Sequence, residues 1–147
     1  MVLINCTNPS TSSEASEPDT SQVENKDKSK QKATGKSEIN TNLSSGTITL
    51  EQAKAMLDSG NFQFIDLRTP EEIAETGKVP GAKELNMRDV EFKNNFQRLD
   101  GRTPIVFYCK SGGRSTRAMK MATDLQFSRV YDMKDGMDGW SKKYATN

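Results

Sequence analysis

Cys109 is the residue whose type and neighbours best suit nucleophilic chemistry. It follows an apolar run, residues 104–108, and it opens a loop that continues Lys110, Ser111, Gly112, Gly113, Arg114 and Ser115. The nucleophilic form of cysteine is the thiolate, which the backbone amides of a glycine-rich loop and the N-terminus of a helix both stabilise. The loop therefore predicts a thiol of lowered pKa that reacts near neutral pH without a partner histidine.

The segments on either side of this loop would place it at the edge of a sheet. Residues 104–108 are apolar and rich in β-branched and aromatic types, as in a strand buried on both faces of a parallel sheet. Residues 114–125 then predict a helix with Ala118, Met121, Ala122 and Leu125 on one stripe. A loop between such a strand and such a helix lies where open α/β sheets bind ligands.

A purely structural interpretation of Cys109 competes with the catalytic one. Free cysteine is often buried, and two glycines can simply make a tight turn. Two cations, Lys110 and Arg114, flank this thiol, however, and the consecutive glycines allow a ligand to approach the backbone closely. We therefore favour a catalytic cysteine.

The remainder of the C-terminal region alternates between helical and extended patterns. A capping box at Thr49 predicts a helix that ends near Asp58, and Thr69 followed by Pro70 predicts the start of another. Further helices are expected within 90–99 and 137–144, and strands at 62–66, 82–85 and 129–132. This alternation predicts an α/β fold with a mostly parallel sheet.

Composition divides the chain into two parts. Of its 147 residues, 33% are hydrophobic and 28% are charged, a low apolar share for a fully folded chain. Up to residue 46 the sequence is dominated by Ser, Thr, Asn, Glu and Lys, and it cannot bury enough apolar surface to offset the entropy of ordering. We predict a disordered polar tail over 1–46 and a folded domain over 47–147.

Charge and residue content argue against several classes of protein. The 21 basic and 20 acidic residues give a net charge of +1, which provides no field to attract nucleic acid. Two cysteines cannot form a disulfide framework, and the chain has no histidine, so zinc sites and Cys-His catalysis are not expected. No apolar run approaches the roughly 18–20 residues that span a bilayer. We expect a small-molecule or protein partner, no metal and no membrane span.

Cys6 leaves the location of the protein open. It follows a short apolar start and precedes a polar stretch, which resembles the end of a bacterial lipoprotein signal with a lipidated cysteine. The apolar run is nevertheless shorter than a signal requires, it lacks a basic start, and Asn5 is larger than the usual preceding residue. We favour an ordinary tail, with a lipid anchor at Cys6 as the alternative. Both a cytoplasmic and a membrane-tethered location in the cell envelope therefore stay open.

Four motifs follow one another along the predicted domain. They are Ile-Asp-Leu-Arg at 65–68, Gly-Lys-Val-Pro-Gly-Ala at 77–82, Phe-Tyr-Cys-Lys-Ser-Gly-Gly-Arg-Ser at 107–115 and Asp-Gly-Met-Asp-Gly-Trp at 135–140. Each is weak by itself, but the ordered set extends over 47–144. With these four motifs in this order, the sequence resembles the rhodanese-like sulfurtransferases.

The resemblance implies a rhodanese-like α/β domain, with a five-stranded, mostly parallel sheet flanked by helices on both faces. It also implies a two-step sulfur transfer through a persulfide on Cys109, from a small anionic donor such as thiosulfate to cyanide or a protein thiol. Arg114 would shape the loop and bind the donor, Lys110 would attract it, and Ser111, Gly112 and Gly113 would supply amides, with Ser115 completing the loop. No metal or organic cofactor is required.

Some residues near the motifs receive a structural interpretation. Asp66 and Arg68 are expected to form an ion pair or to cap neighbouring backbone groups in support of the site, and Trp140 is expected to anchor the last helix in the core. Two positions depart from the family pattern, Lys78 and the pair Asp135-Gly136. Neither is expected to touch the nucleophile loop.

Two other functions compete with sulfur transfer. The first is a cysteine-dependent phosphatase or arsenate reductase, since the resemblance extends to phosphatases of related fold. Those enzymes place five residues between cysteine and arginine, whereas four lie between Cys109 and Arg114, and the shorter loop favours a single sulfur atom. The second is a non-catalytic binding module of the same fold. The intact cysteine loop argues against that interpretation.

Overall fold

The computed structural model describes residues 44–147, which form a five-stranded sheet with helices on both faces. The strands are β1 (Gly46–Ile48), β2 (Gln63–Asp66), β3 (Lys83–Glu84), β4 (Ile105–Tyr108) and β5 (Val130–Met133). They lie in the order β1-β5-β4-β2-β3, and every pair is parallel. The predicted fold class is confirmed.

Five helices connect and cover these strands. They are α1 (Leu50–Ser59), α2 (Pro70–Thr76), α3 (Phe92–Gln97), α4 (Gly113–Asp124) and α5 (Gly136–Trp140). Thr49 and Gln52 form the predicted capping box at the start of α1, and Thr69 and Glu72 form another at the start of α2. Each box pairs two amides that the helix itself leaves free. Both predicted helix starts are confirmed. They could be predicted because capping depends on residues that are close in the sequence.

The strands contribute alternate residues to two apolar layers. On one face, α1 and α5 pack on the sheet through side chains that include Met56, Phe64, Val106, Tyr108 and Trp140. On the other face, α3 and α4 pack through Ile65, Phe96, Phe107, Ala118 and Ala122. All four residues of β4 are buried, as predicted for a central strand. Trp140 is fully buried, which confirms its place as a core anchor.

Several boundaries differ from the prediction. The sequence patterns did not reveal β1, whose three residues pair in parallel with β5. Ser45 Oγ also accepts a hydrogen bond from the Val130 amide at 3.1 Å, so residues before 47 take part in the sheet. Residues 1–43 of the predicted tail, Cys6 included, lie outside the described residues.

The helices predicted at 114–125 and 137–144 have different bounds in the structure. Helix α4 begins at Gly113, and Leu125 is its C-cap, 42% exposed, instead of part of the apolar stripe. Helix α5 is shorter than predicted and ends at Trp140. Among the described residues, no helix is long and apolar enough to cross a membrane.

Candidate active site

Cys109 lies directly after β4, at the carboxyl end of the central strand. The chain then turns through Ser111 and Gly112 into α4. Gly112 is the N-cap of α4 with φ of 106°, a left-handed conformation that side chains disfavour. A glycine is needed here because the strand must reverse into the helix within a few residues while the loop closes around the sulfur.

Backbone amides converge on the sulfur of Cys109. The Gly112 amide donates to Sγ at 3.2 Å, and the side chain is only 1% exposed. Burial raises the pKa of the Cys109 thiol, but hydrogen bonds from the amides of Ser115, Arg114 and Gly112 outweigh burial, and the pKa lies below its ordinary value of 9.0. The site therefore favours a thiolate without an acid–base partner.

The amides on the sulfur differ in part from those expected. Gly112 supplies one, as anticipated, whereas the others come from Arg114 and Ser115 in the first turn of α4. Ser111 is exposed in the loop, and Gly113 is exposed at the first position of α4. We call the amides of Gly112, Arg114 and Ser115 the sulfur cradle. The cradle extends further into the helix than the sequence indicated, because the first-turn amides of a helix point out of its N-terminus.

Ser115 is buried beside Cys109. Its Oγ lies 3.8 Å from Cys109 Sγ and donates to the carbonyl oxygen of Gly112 at 2.9 Å. The side chain consequently links the sulfur to the N-cap residue of α4. This contact gives the serine a role in holding the loop in addition to its amide.

Arg114 is paired with an acidic residue from a different helix. Its guanidinium donates to both carboxylate oxygens of Glu72, at 2.6 and 2.5 Å, and lies 3.5 Å from the carbonyl oxygen of Leu67. The hydrogen bond from Arg114 lowers the pKa of Glu72 to about 2. The sequence patterns did not reveal this pairing, because the two residues are 42 positions apart.

Lys110 lies in acidic surroundings. It lines a recess of about 20 Å³ together with Arg68, Glu72, Glu75, Thr76 and Asp138. Three carboxylates therefore accompany the lysine, and Arg68 is itself paired with Asp66. The charge near this side chain is mixed, so an anion would feel less attraction from Lys110 than the loop sequence alone implies.

The start of α5 holds the cysteine loop from outside. The amides of Met137 and Asp138 donate to the carbonyl oxygens of Cys109 and Lys110, at 2.8 and 2.9 Å. A Cβ at Gly136 would come within 3.0 Å of both carbonyl oxygens. The expectation that Asp135-Gly136 does not touch the loop was therefore wrong. Sequence spacing could not show that β5 delivers this segment to the neighbouring strand end.

Asp66 and Arg68 form a buried ion pair next to the loop. Arg68 Nη2 lies 2.6 Å from Asp66 Oδ2, and both side chains are at most 1% exposed. Arg68 also donates to Thr76 and to the carbonyl oxygens of Glu72 and Gly77. The pair thus ties the end of β2 to α2, which in turn positions Glu72.

The described residues contain no group of three or more histidine, cysteine or acidic side chains placed to hold a metal ion.

The fold and the loop define a class of α/β domain in which a buried cysteine sulfur accepts hydrogen bonds from backbone amides at the carboxyl edge of a parallel sheet. A family model described as the rhodanese-like domain matches residues 49–143. The chain belongs to the rhodanese-like family.

Relatives of known name agree with this assignment. A rhodanese domain-containing protein of Drosophila melanogaster is 32% identical over 106 residues, which cover 65% of this chain and 96% of that protein. A human thiosulfate:glutathione sulfurtransferase is 27% identical over 109 residues, covering 66% of this chain and 94% of that protein. Relatives with sulfurtransferase names support a transferase activity in general.

Solved structures share the fold. A polysulfide-sulfur transferase homodimer from Wolinella succinogenes superposes with a TM-score of 0.58 at 25% identity, over 67% of this chain and 74% of that chain. A Rhodopseudomonas palustris protein described as of unknown function and a possible tyrosine phosphatase gives 0.53 at 28% identity, over 71% and 84%.

Proposed function

We propose that the protein transfers sulfane sulfur from a small anionic donor to a thiophilic acceptor through a persulfide on Cys109. The observation that carries this proposal is the convergence of three amides, from Gly112, Arg114 and Ser115, on one buried sulfur. Such a cradle stabilises a single anionic atom, and it serves the thiolate before transfer and the persulfide anion after it.

The reaction has two displacement steps. With thiosulfate as donor, the Cys109 thiolate attacks the outer sulfur, the sulfur–sulfur bond of the donor breaks, and sulfite leaves with the bonding electrons. The acceptor, a thiolate or cyanide, then attacks the terminal sulfur of the persulfide and Cys109 leaves as a thiolate. No electrons are supplied from outside, since each step exchanges one nucleophile for another on the same sulfur atom.

The residues around the cradle divide the other tasks. Arg114 keeps its guanidinium near the loop through Glu72 and offers positive charge to the departing sulfite. Lys110 follows Cys109 directly and lines a recess together with Glu72, the partner of Arg114. The human relative is named for thiosulfate and glutathione, which supports a thiol as the acceptor class.

The direct test is intact-mass measurement after incubation with thiosulfate. The wild-type chain should gain one sulfur atom, Cys109→Ser should gain none, and Cys6→Ser should behave as wild type. The Cys6 variant is a matched control because it leaves Cys109 as the remaining cysteine of the chain. A folded wild-type protein that gains no sulfur would exclude thiosulfate as the donor.

Turnover is tested by adding an acceptor. Cyanide should remove the sulfur from the persulfide and yield thiocyanate, and glutathione should yield its persulfide. A chain that accepts sulfur but passes it to neither acceptor would be a sulfur-binding module, the non-catalytic alternative.

Phosphatase or arsenate reductase chemistry is the second candidate, supported by the possible tyrosine phosphatase among the structural neighbours. The four residues between Cys109 and Arg114 oppose it, because a tetrahedral oxyanion needs a wider loop than one sulfur atom. Hydrolysis of an aryl phosphate that Cys109→Ser abolishes would favour this candidate over sulfur transfer.

A further inference from the structure

Asp132 is a buried acidic residue close to the loop that the proposed mechanism leaves unused. It lies in β5, in register with Phe107 of β4, and is only 4% exposed. Within residues 44–147, its Oδ1 is the one buried side-chain oxygen or nitrogen without a hydrogen-bond partner. Buried polar atoms are nearly always paired, so this exception calls for a physical explanation.

The other oxygen of Asp132 contacts the first turn of α4. Thr116 Oγ1 lies 2.8 Å from Asp132 Oδ2 and 3.0 Å from the carbonyl oxygen of Gly112. That carbonyl oxygen also accepts from Ser115 Oγ, which lies 3.8 Å from Cys109 Sγ. A continuous series of polar contacts therefore joins β5 to the nucleophile.

Helix α4 needs such support because its start has no side-chain cap. Gly112, the N-cap residue, has no side chain to accept a hydrogen bond from the first-turn amides. Two of those amides, from Arg114 and Ser115, are directed at the sulfur instead. The direction of these amides thus depends on side-chain contacts along the first turn of α4, such as those of Thr116.

We propose that Asp132 is a positioning residue for the sulfur cradle, acting through the Thr116 hydroxyl on the first turn of α4. The inference rests on the proposed function only in taking Cys109 as the reactive thiol. It concerns how the amides are aimed, whichever donor supplies the sulfur.

The direction of the amides can be tested through the pH dependence of Cys109 alkylation by iodoacetamide. Amides directed at the sulfur stabilise the thiolate, and the thiolate reacts whereas the thiol does not. The charged groups around the loop come from several elements; they are Lys110 and Arg114, Arg68 with Glu72 and Glu75 of α2, Asp138 of α5 and Asp132 of β5. None of the substitutions at Thr116 alters them, so a shifted profile in those variants reports the geometry of the amides.

The first comparison is between Thr116→Val and Thr123→Val in the same helix. Both threonines place Oγ1 at 3.0 Å from the carbonyl oxygen four residues earlier, but Thr116 also contacts Asp132. Thr116→Val should move the alkylation midpoint upward by about one pH unit and slow alkylation about tenfold below that midpoint. Thr123→Val should match wild type, and Thr116→Ser should restore the wild-type profile.

A double-mutant cycle assigns the effect to Asp132. Asp132→Ala should shift the profile as Thr116→Val does, and the double variant should show no further shift, because one residue acts through the other. Asp132→Asn keeps an oxygen that can accept from Thr116 and should match wild type. Thermal unfolding is measured first to identify folded variants.

Three results would overturn the proposal. They are a wild-type profile in folded Thr116→Val, additive shifts in the double variant, or a shifted profile in Asp132→Asn. If Asp132→Ala does not fold, the first and third results still decide. Because alkylation needs no sulfur donor, failure of thiosulfate as a substrate would leave this test intact.

Discussion

Glu72 and Arg114 form a bidentate ion pair that joins the first turns of α2 and α4 beside Cys109. The same carboxylate accepts from the Thr69 amide at 3.0 Å, which completes the capping box of α2. One side chain therefore fixes a helix start and the arginine of the cysteine loop. The orientation of Arg114 depends on the position of α2, which the buried Asp66–Arg68 pair sets in turn.

Glu72→Gln should remove an acid-dependent component of stability. Glu72 titrates at 4.5 ordinarily and at about 2 in the folded chain, chiefly because of the hydrogen bond from Arg114. A lowered folded pKa stabilises the fold above pH 4.5, and the contribution disappears as the pH falls toward 2. For this partly exposed pair we expect about 1 kcal/mol at pH 7.

Urea unfolding at several pH values measures that component. The difference in free energy of unfolding between wild type and Glu72→Gln should shrink as the pH falls from 7 to 2. Glu75→Gln, in the same helix, is the control. A difference that stays constant over this range would contradict the ion-pair explanation.

Gly136→Ala should damage both stability and the site. Its φ of 51° disfavours a side chain, and a new Cβ would come within 3.0 Å of the carbonyl oxygens of Cys109 and Lys110. Gly81→Ala is a matched control, because φ is 73° there and a Cβ would meet nothing within 4 Å. We expect a loss of about 1 kcal/mol for Gly81→Ala and at least about 3 kcal/mol for Gly136→Ala. Equal losses, measured by denaturant unfolding, would refute the contact with the loop.

Arg68→Met should strongly destabilise the fold. It leaves the carboxylate of Asp66 buried and unpaired, which costs about 3–5 kcal/mol. Arg102→Met is the control, since Arg102 pairs with Asp100 at the same sequence spacing but is 95% exposed. That substitution should cost less than about 1 kcal/mol. Similar thermal midpoints for the two variants would show that burial of the pair has no energetic consequence.

The reactivity of Cys109 should rise with pH through a midpoint below 9.0. The thiolate is the reacting form, and the three amides lower the pKa of the thiol despite its burial. Stopped-flow alkylation of Cys6→Ser, which isolates Cys109, gives this midpoint. In the same protein unfolded in urea, the midpoint should return to the ordinary value. Identical midpoints in the folded and unfolded states would mean that the cradle does not stabilise the thiolate.

The sequence predicted those features whose physical cause is local. The caps at Thr49 and Thr69 depend on residues three positions apart, and the apolar run before Cys109 identifies a buried central strand. The loop from Cys109 to Arg114 likewise shows its glycines and cations directly. From these, the α/β class, the family resemblance and the position of the candidate nucleophile followed.

Features that depend on residues distant in the sequence could be identified only from the tertiary structure. Strand β1 has only three residues and no periodic pattern, and it exists because β5 offers it an edge. The pairing of Glu72 with Arg114 and the contact of Gly136 with the loop arise because parallel strands bring their carboxyl ends to one edge of the sheet. Hence the sequence by itself singled out the candidate reactive atom, whereas the fold decided which groups hold that atom in place.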